Sequence, residues 1–271
     1  MKKTRISIIT PSFNQGKYIE KTFQSILNQH LSPGDLQYIL VDAISTDETS
    51  SLVHKYKPLF KKSGIDFVYI CEKDDGQSDA LNKGFLLANA EIVGYVNSDD
   101  FLEPYALKRV LQYFRSHTDV LWAFGGWNVV NEGENLYKSF QHLRFSSFLF
   151  RSYAFNIGQP SCFYKRALLK KVGYLRKDLH LAMDYDLWLR FLEYTEPGII
   201  PHTLSNLRYY SGAKSAKFTL HHHNQAFFVA LKYCGNNVFL FIHLIFRYIA
   251  GLIMISIGKN ISQKIAVFMK K

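Results

Sequence analysis

The chain has 271 residues, 48% of them hydrophobic and 15% aromatic, enough to bury a full core as one large domain or one domain with an appended segment. Its formal net charge of +11 is unevenly carried: Glu196 is the last acidic residue, and nine lysines and arginines lie beyond it. Cys71, Cys162 and Cys234 are scattered and odd in number, which suits a reducing cytosol and excludes a disulfide framework or a cysteine-rich zinc site.

Taken in chain order, Met1-Lys2-Lys3-Thr4-Arg5 is charged, but the apolar run at 6–9 is only strand length, so no signal peptide is expected. Residues 6–10 read as a buried strand ended by Pro11, and 17–29 as a helix with Ile19, Phe23, Ile26 and Leu27 near helical spacing. A second strand is predicted at 38–42. Ser45-x-x-Glu48 has the form of a capping box opening a helix that runs to about Tyr56. A third strand at 66–71, a helix at 78–88, a fourth strand at 91–96 and a helix at 104–117 with Pro104 near its first turn complete the regular half. From Leu121 the pattern loosens into an aromatic-rich region, in which 165–172 and 184–194 still read as helices.

Repeated β-α units of this length imply a parallel sheet with helices on both faces. Ligands of such sheets bind outside the carboxyl ends of the strands. Four polar clusters follow the four predicted strands there: Thr10-Pro11-Ser12-Phe13-Asn14, Asp42, residues 72–77, and Asn97-Ser98-Asp99-Asp100. Two adjacent carboxylates repel unless a cation compensates them, and magnesium-like ions take few carboxylates and leave positions for phosphate oxygens. In isolation the pair reads first as a strand terminator and cap; its place on a shared edge with three other polar loops reverses that in favour of the metal.

Met183-Asp184-Tyr185-Asp186 puts two carboxylates at i and i+2 near a helix start, where the dipole favours anions. One can cap while the other faces a cleft. His221-His222-His223 invites a metal reading, but consecutive helical residues point in different directions and do not chelate one ion. No recognised nucleic-acid-binding motif accompanies the basic charge, so no nucleic-acid partner is expected. NAD-linked chemistry is disfavoured because no G-x-G-x-x-G follows the first strand.

Several ordered motifs resemble the family 2 glycosyltransferases with the GT-A fold. They are Ser7-Ile8-Ile9-Thr10-Pro11-Ser12-Phe13-Asn14, Val41-Asp42 with Ser45-Thr46-Asp47, the run from Glu72 through Gly84, and Gly94-Tyr95-Val96-Asn97-Ser98-Asp99-Asp100. The likeness covers roughly residues 5–215. It implies a Rossmann-like, mostly parallel α/β catalytic domain over 1–218, with a nucleotide-sugar half at about 1–100 and an acceptor half at about 101–218. It also implies an inverting, metal-assisted transfer from a nucleoside diphosphate sugar, UDP-linked first among the candidates, to a glycan or lipid-linked glycan of the kind built into surface polysaccharides.

By position, the resemblance assigns Thr10, Pro11, Ser12 and Asp42 to the base and ribose, and Asp74, Gly76, Gln77 and Asn82 to further nucleotide contacts. The Asp-x-Asp metal motif reads Asn97-Ser98-Asp99 here, leaving Asp99 as the ligand for Mg²⁺ or Mn²⁺ and Asp100 near the donor sugar or orienting its neighbours. Asp184 matches the family's catalytic base, with Met183 where a Glu usually precedes it. Gln159 and Ser161, in a segment that resembles the family's acceptor-side strand, fit the sugar pocket or, equally, turn and strand-edge roles. Arg208-Tyr209-Tyr210-Ser211-Gly212-Ala213-Lys214-Ser215 resembles a loop that closes over the diphosphate through Arg208 and Lys214, with Tyr210 in place of a common His. Asn97, Met183 and Tyr210 keep a second reading open, that of a catalytically impaired nucleotide- or glycan-binding protein derived from a transferase. Nucleotidyl transfer is disfavoured, because its Gly-rich, Arg-bearing opening loop is replaced by Thr10-Pro11-Ser12-Phe13-Asn14.

Residues 219–271 form a basic, hydrophobic C-terminal region. The stretch 238–257 is long enough as a helix to cross a bilayer core, about 30 Å at ~1.5 Å per residue. Arg247 near its middle would cost roughly 2.5–3.5 kcal/mol on insertion scales. His243 and Arg247 share a face at i, i+4, which fits a helix lying on a membrane surface or packed on the catalytic domain better than a span. Flanking lysines favour anionic lipid. The expectation is a cytoplasmic protein at the inner face of the membrane, in peripheral contact through 236–271.

Overall fold

The four apolar runs of the first hundred residues become four strands of one sheet. The structure, a computed structural model, describes the backbone of residues 5–268 except 154 and 215–218, with side chains to residue 257 except Thr219. Lys2, Lys3, Ser215, Lys217, Lys270 and Lys271 therefore lie outside the described residues, as do the side chains of Lys259 and Lys264. Strands β1 (Ile6–Ser12), β2 (Leu36–Asp42), β3 (Asp66–Cys71) and β4 (Ile92–Tyr95) alternate with helices α1 (Gly16–Leu27), α2 (Thr49–Lys62) and α3 (Gln77–Leu87). They pair in parallel in the order β3-β2-β1-β4. β1 and β2 are buried along their whole length, as central parallel strands between helical layers must be.

The second half is mixed, which sequence periodicity did not reveal. It contains β5 (Phe101–Leu102), α4 (Ala106–Ser116), β6 (Trp122–Val130), β7 (Leu136–Phe140), α5 (Ser147–Arg151), β8 (Cys162–Lys165), α6 (Arg166–Val172), α7 (Met183–Leu192) and β9 (Gly198–Arg208). β8 enters antiparallel between β4 and β6, while β9 runs parallel to β6 and antiparallel to β5. Among the described residues the order is β3-β2-β1-β4-β8-β6-β9-β5, with β7 on β6. The parallel expectation thus holds for the first half and gives way to alternating directions in the second. Helices α8 (Thr219–Lys232) and α9 (Val238–Phe268) follow the sheet.

Side chains alternate across the strands into two apolar layers. Ile9, Ile39 and Val41 point to a layer with Phe124, Tyr164, Leu187 and Phe191. Ile8, Tyr38 and Leu40 point to the other, with Phe23, Phe60 and Phe114. That second layer explains a departure from expectation in α2. Pro58 should stop the helix near Tyr56, yet it continues to Lys62. Proline inside a helix costs about 3 kcal/mol, and burial of Phe60 against Phe23, Tyr38 and Phe67 offsets it. The expected capping box does not form either. Helix α2 begins at Thr49, Ser45 Oγ donates to Asp42, and Asp47 Oδ1 accepts from Thr49 N at 3.0 Å.

Candidate active site

At the carboxyl edge of β1, β2 and β4 the polar clusters meet the starts of α3 and α7 and the end of β9. They enclose a cleft of about 930 Å³ lined by Pro11, Ser12, Asp74, Gly76, Gln77, Asn97, Asp99, Asp100, Gln159, Asp184, Arg208, Tyr210, Lys214 and His222, among others. Gly76 caps α3 at φ +107°, a left-handed geometry that favours glycine, and its N–H donates to Asp74 Oδ1 at 2.8 Å.

The turn after β4 is held from every side. Thr22 Oγ1 donates to the carbonyls of Ser98 and Asp100 at 3.0 and 2.7 Å. Asn97 Nδ2 donates to Asp100 Oδ2 and Gln159 Oε1, while Asn97 Oδ1 accepts from Gln77 Nε2 at 2.7 Å. Lys214 Nζ donates to Gln77 Oε1 at 3.3 Å. Asp100 Oδ1 accepts from Arg208 N at 2.9 Å, and Asp99 Oδ2 from the Tyr210 hydroxyl at 3.1 Å. Burial pushes both carboxyls above the ordinary carboxylate range, Asp100 further because Asp99 lies beside it.

Asp184 and Asp186 divide as the i, i+2 spacing allows. Asp186 is fully buried, paired with Arg190 at 2.9 Å and Arg176 at 3.7 Å. Asp184 faces the cleft, and its Oδ1 accepts from Tyr185 N at 2.8 Å. Burial raises its carboxyl above the usual range, against smaller downward pulls from His222, backbone N–H groups and Lys214.

Several sequence-assigned residues stand apart from the cleft wall. Thr10 is fully buried beneath it. Asp42, also buried, is engaged by Ser45 and, at 3.1 Å, by the Tyr69 hydroxyl. Asn82 bonds the backbone of Leu175 through both amide atoms, bracing the segment before α7. Ser161 Oγ is fixed by Gly126 O and Ser205 Oγ inside the sheet. Arg208, expected on the diphosphate, does line the cleft, but it directs its guanidinium to the carbonyls of Asp99 and Glu132 and to Glu134. It stacks near Tyr18 and Phe101 and is 4% exposed. Ser12 lines the cleft, and its buried Oγ, like Thr10 Oγ1, has no hydrogen-bond partner among the described residues. Tyr95, His180 and His222 line the cleft but were not singled out from sequence. A signal for His222 existed in the His triplet; reading the three as one cluster concealed it.

The Glycosyl transferase family 2 profile matches residues 7–173. The poly(ribitol-phosphate) beta-N-acetylglucosaminyltransferase TarP of Staphylococcus aureus is 31% identical over 137 residues, 50% of this chain and 40% of that protein. The putative teichuronic acid biosynthesis glycosyltransferase TuaG of Bacillus subtilis is 30% identical over 140 residues, 52% of this chain and 53% of that protein. The chain thus spans about half the length of these curated relatives or less. Solved structures share the fold: S. aureus TarS with UDP-GlcNAc has a TM-score of 0.63 at 18% identity, covering 87% of this chain and 68% of that one. A mannosyltransferase from Pyrobaculum calidifontis with GDP-Man and Mn²⁺ gives 0.60 at 17% identity, covering 96% and 80%. With the profile spanning β1 through α6 and the cleft on the sheet edge its motifs specify, the chain belongs to glycosyl transferase family 2.

Proposed function

We propose that the protein transfers a sugar from a nucleoside diphosphate sugar to a hydroxyl of a glycan or lipid-linked glycan, with inversion at the anomeric carbon. The observation that carries this is one cleft shared by the Asn97–Asp100 turn and the Asp184 carboxylate at the start of α7. Base and ribose would lie along Pro11, Ser12 and Ala43, the residue after β2, with Asp42 buried behind them. Gln77 and Lys214, already hydrogen-bonded to each other, stand beside the diphosphate and offset its charge as it leaves. Asp184 takes the proton of the acceptor hydroxyl while that oxygen attacks the anomeric carbon and the sugar–diphosphate bond breaks. Arg208 holds the turn rather than the phosphate.

Adjacent carboxyls whose ionised forms are disfavoured by burial suit a hard divalent cation. Among the described residues no three His, Cys, Asp or Glu side chains gather as a ready-made metal site, so phosphate oxygens would complete the coordination. Asp99 is the residue that would hold Mg²⁺ or Mn²⁺, whose chemistry is charge stabilisation of the leaving diphosphate. UDP is the first donor to test, given the UDP-GlcNAc held by TarS; GDP is the second, given the GDP-Man and Mn²⁺ of the mannosyltransferase.

The same proposal places the protein at the inner face of the cytoplasmic membrane. Helix α9 contains a 20-residue stretch of mean hydropathy 2.3, of which 11% is buried. Phe239, Ile242, Phe246, Ile249 and Ile253 form one exposed stripe, with Phe239 81% and Phe246 68% exposed. His243 lies against Phe148 of α5, on the protein side. The outward apolar stripe suits a helix lying on lipid, with Leu240 and Leu244 buried on the protein side and Arg247 exposed.

The test is titration with UDP-, GDP- and TDP-sugars with and without Mn²⁺ or Mg²⁺, followed by nucleotide release. Metal-dependent binding of one donor is expected. Binding of none overturns the donor assignment, and binding without release in the presence of any acceptor marks the impaired, binding-only protein.

A further inference from the structure

The stretch 173–182, between α6 and α7, is neither helix nor strand, yet it carries His180 and Leu181 of the cleft wall and leads directly into Asp184. Its backbone groups have no ladder to join, so side chains from other elements have to satisfy them. Helix α3 supplies several along one face. Asn82 Nδ2 donates to Leu175 O at 2.8 Å while Asn82 Oδ1 accepts from Leu175 N at 3.0 Å, a two-point grip on one residue's backbone. One turn earlier on that face, Ser78 Oγ lies 3.3 Å from Leu179 O and 2.8 Å from Sδ of Met183, the residue before Asp184. Beside it, Asp79 pairs with Lys177 through Oδ1 and accepts from Asp75 N through Oδ2 at 3.2 Å. From the other side Arg190 of α7 donates to the carbonyls of Gly173 and Tyr174 at 2.7 and 2.9 Å. Gln225 Oε1 of α8 accepts from Leu181 N at 3.0 Å. Helix α8 is itself joined to α9, where the Tyr248 ring stacks on His223 at 5.1 Å and 2°, with His223 Nε2 3.0 Å from Tyr248 O.

We propose that α3 is a clasp that seats the 173–183 segment, and that Asn82 is a positioning residue for Asp184 rather than a contact to the nucleotide. The proposal rests on Asp184 being the base. Both polar atoms of the Asn82 side chain face Leu175, and Asn82 does not line the cleft. Its action runs through the backbone. Holding Leu175 at one end of the segment and Met183 at the other sets where α7 begins, and Asp184 is the second residue of that helix. Because α3 starts just after Gly76, the loop expected beside the donor and the carboxylate expected beside the acceptor are both referred to one helix. Asp79 makes the link explicit, since one carboxylate holds Asp75 of that loop and Lys177 of the segment. A side chain that touches neither ligand nor base can still govern the rate, because a displacement of about 1 Å at a reacting group costs on the order of 100-fold.

The experiment compares the full chain with its Asn82→Ala, Asn82→Asp, Ser78→Ala and Asp184→Asn variants, each shown folded by circular dichroism. Amide hydrogen exchange is read without ligand; donor Kd and nucleotide release are read with the UDP-, GDP- or TDP-sugar that the wild type binds with Mn²⁺. Asn82→Ala should speed exchange across 173–183 by about tenfold or more, while β1 and β2 exchange as in wild type. Its kcat should fall on the order of 10- to 100-fold with donor Kd within about twofold. Asn82→Asp keeps the size of the side chain but sets a carboxylate oxygen against Leu175 O, so it should do the same, which separates the hydrogen bonds from packing. Ser78→Ala should give a smaller change of the same kind. Unchanged exchange in 173–183, or kcat within about twofold of wild type, overturns the proposal. So does a donor Kd weakened by about tenfold or more with kcat kept, which would return Asn82 to the nucleotide. If Asp184→Asn still transfers, the base assignment fails and the clasp loses its catalytic purpose; if it is inactive while the Asn82 and Ser78 variants match wild type, only the clasp falls.

Discussion

Asp184 and Asp186 sit two residues apart on one helix, and their surroundings assign them opposite work. Asp186 is enclosed by Arg190, Arg176 and the Tyr233 hydroxyl. Breaking a buried ion pair by removing one partner costs about 3–5 kcal/mol, so Asp186→Asn should lower the melting temperature sharply. Asp184→Asn should do the reverse. A carboxyl whose folded pKa is raised opposes folding once ionised, fully above its folded pKa and not at all below its unfolded one. Removing that charge should therefore raise the melting temperature near pH 7.5, while transfer falls by about 10²–10⁴-fold and donor binding remains. For the same reason wild-type activity should fall as pH drops through a value above the ordinary carboxylate range, which is ~4; an acid limb at the ordinary value would count against Asp184. That one carboxylate would be enclosed and the other open was legible in the i, i+2 spacing. Which was which depended on Arg176 and Tyr233, remote partners that a local motif does not name.

At the scale of elements, the sequence was readable where a strand is central and apolar, and silent where it is short or composite. β1 to β4 follow from runs such as Ile6-Ser7-Ile8-Ile9 and Tyr38-Ile39-Leu40-Val41. β5 has two residues, and β9 contains Pro201 and register shifts against β6, so neither carries a clean period-2 signal. Helix α2 shows tertiary packing overriding a local stop, since no window around Pro58 contains Phe23 or Tyr38. Helix α9 was foreseen as apolar and long, but only the structure shows which of its faces is free. Phe239→Asp with Phe246→Asp should release the protein from vesicles containing anionic lipid, read by flotation, while donor binding in solution stays within about twofold. Unchanged flotation would remove the membrane assignment. Loss of a dimer by light scattering, instead of loss of flotation, would assign the stripe to a second copy.

Across the whole molecule, Arg208 joins the end of β9, the Asn97–Asp100 turn and the loop after β6. Its burial and three directed contacts make it a structural tie, so Arg208→Ala should cost about 2–5 kcal/mol, read by denaturant melts. Arg208→Lys should recover little, because an ammonium cannot reproduce the fork that reaches Asp99 O, Glu132 O and Glu134 together. A largely unaffected fold with donor affinity lost would return Arg208 to the diphosphate. The gathering of polar loops on one sheet edge was derivable from topology alone; the wall contributed by α8 was not, because a helix following the sheet can dock on several faces.

The Tyr248–His223 stack has a geometric consequence. It ties α9 to α8, so a protein attached to lipid through the outward stripe, as proposed, would hold its cleft at one elevation above the headgroups. Under the proposed attachment such an arrangement would work as a ruler. Acceptors whose reactive hydroxyl stands at that height would be glycosylated while attached to lipid, and shorter or longer stems would be passed over, a selection by reach that requires no contact with the rest of the acceptor.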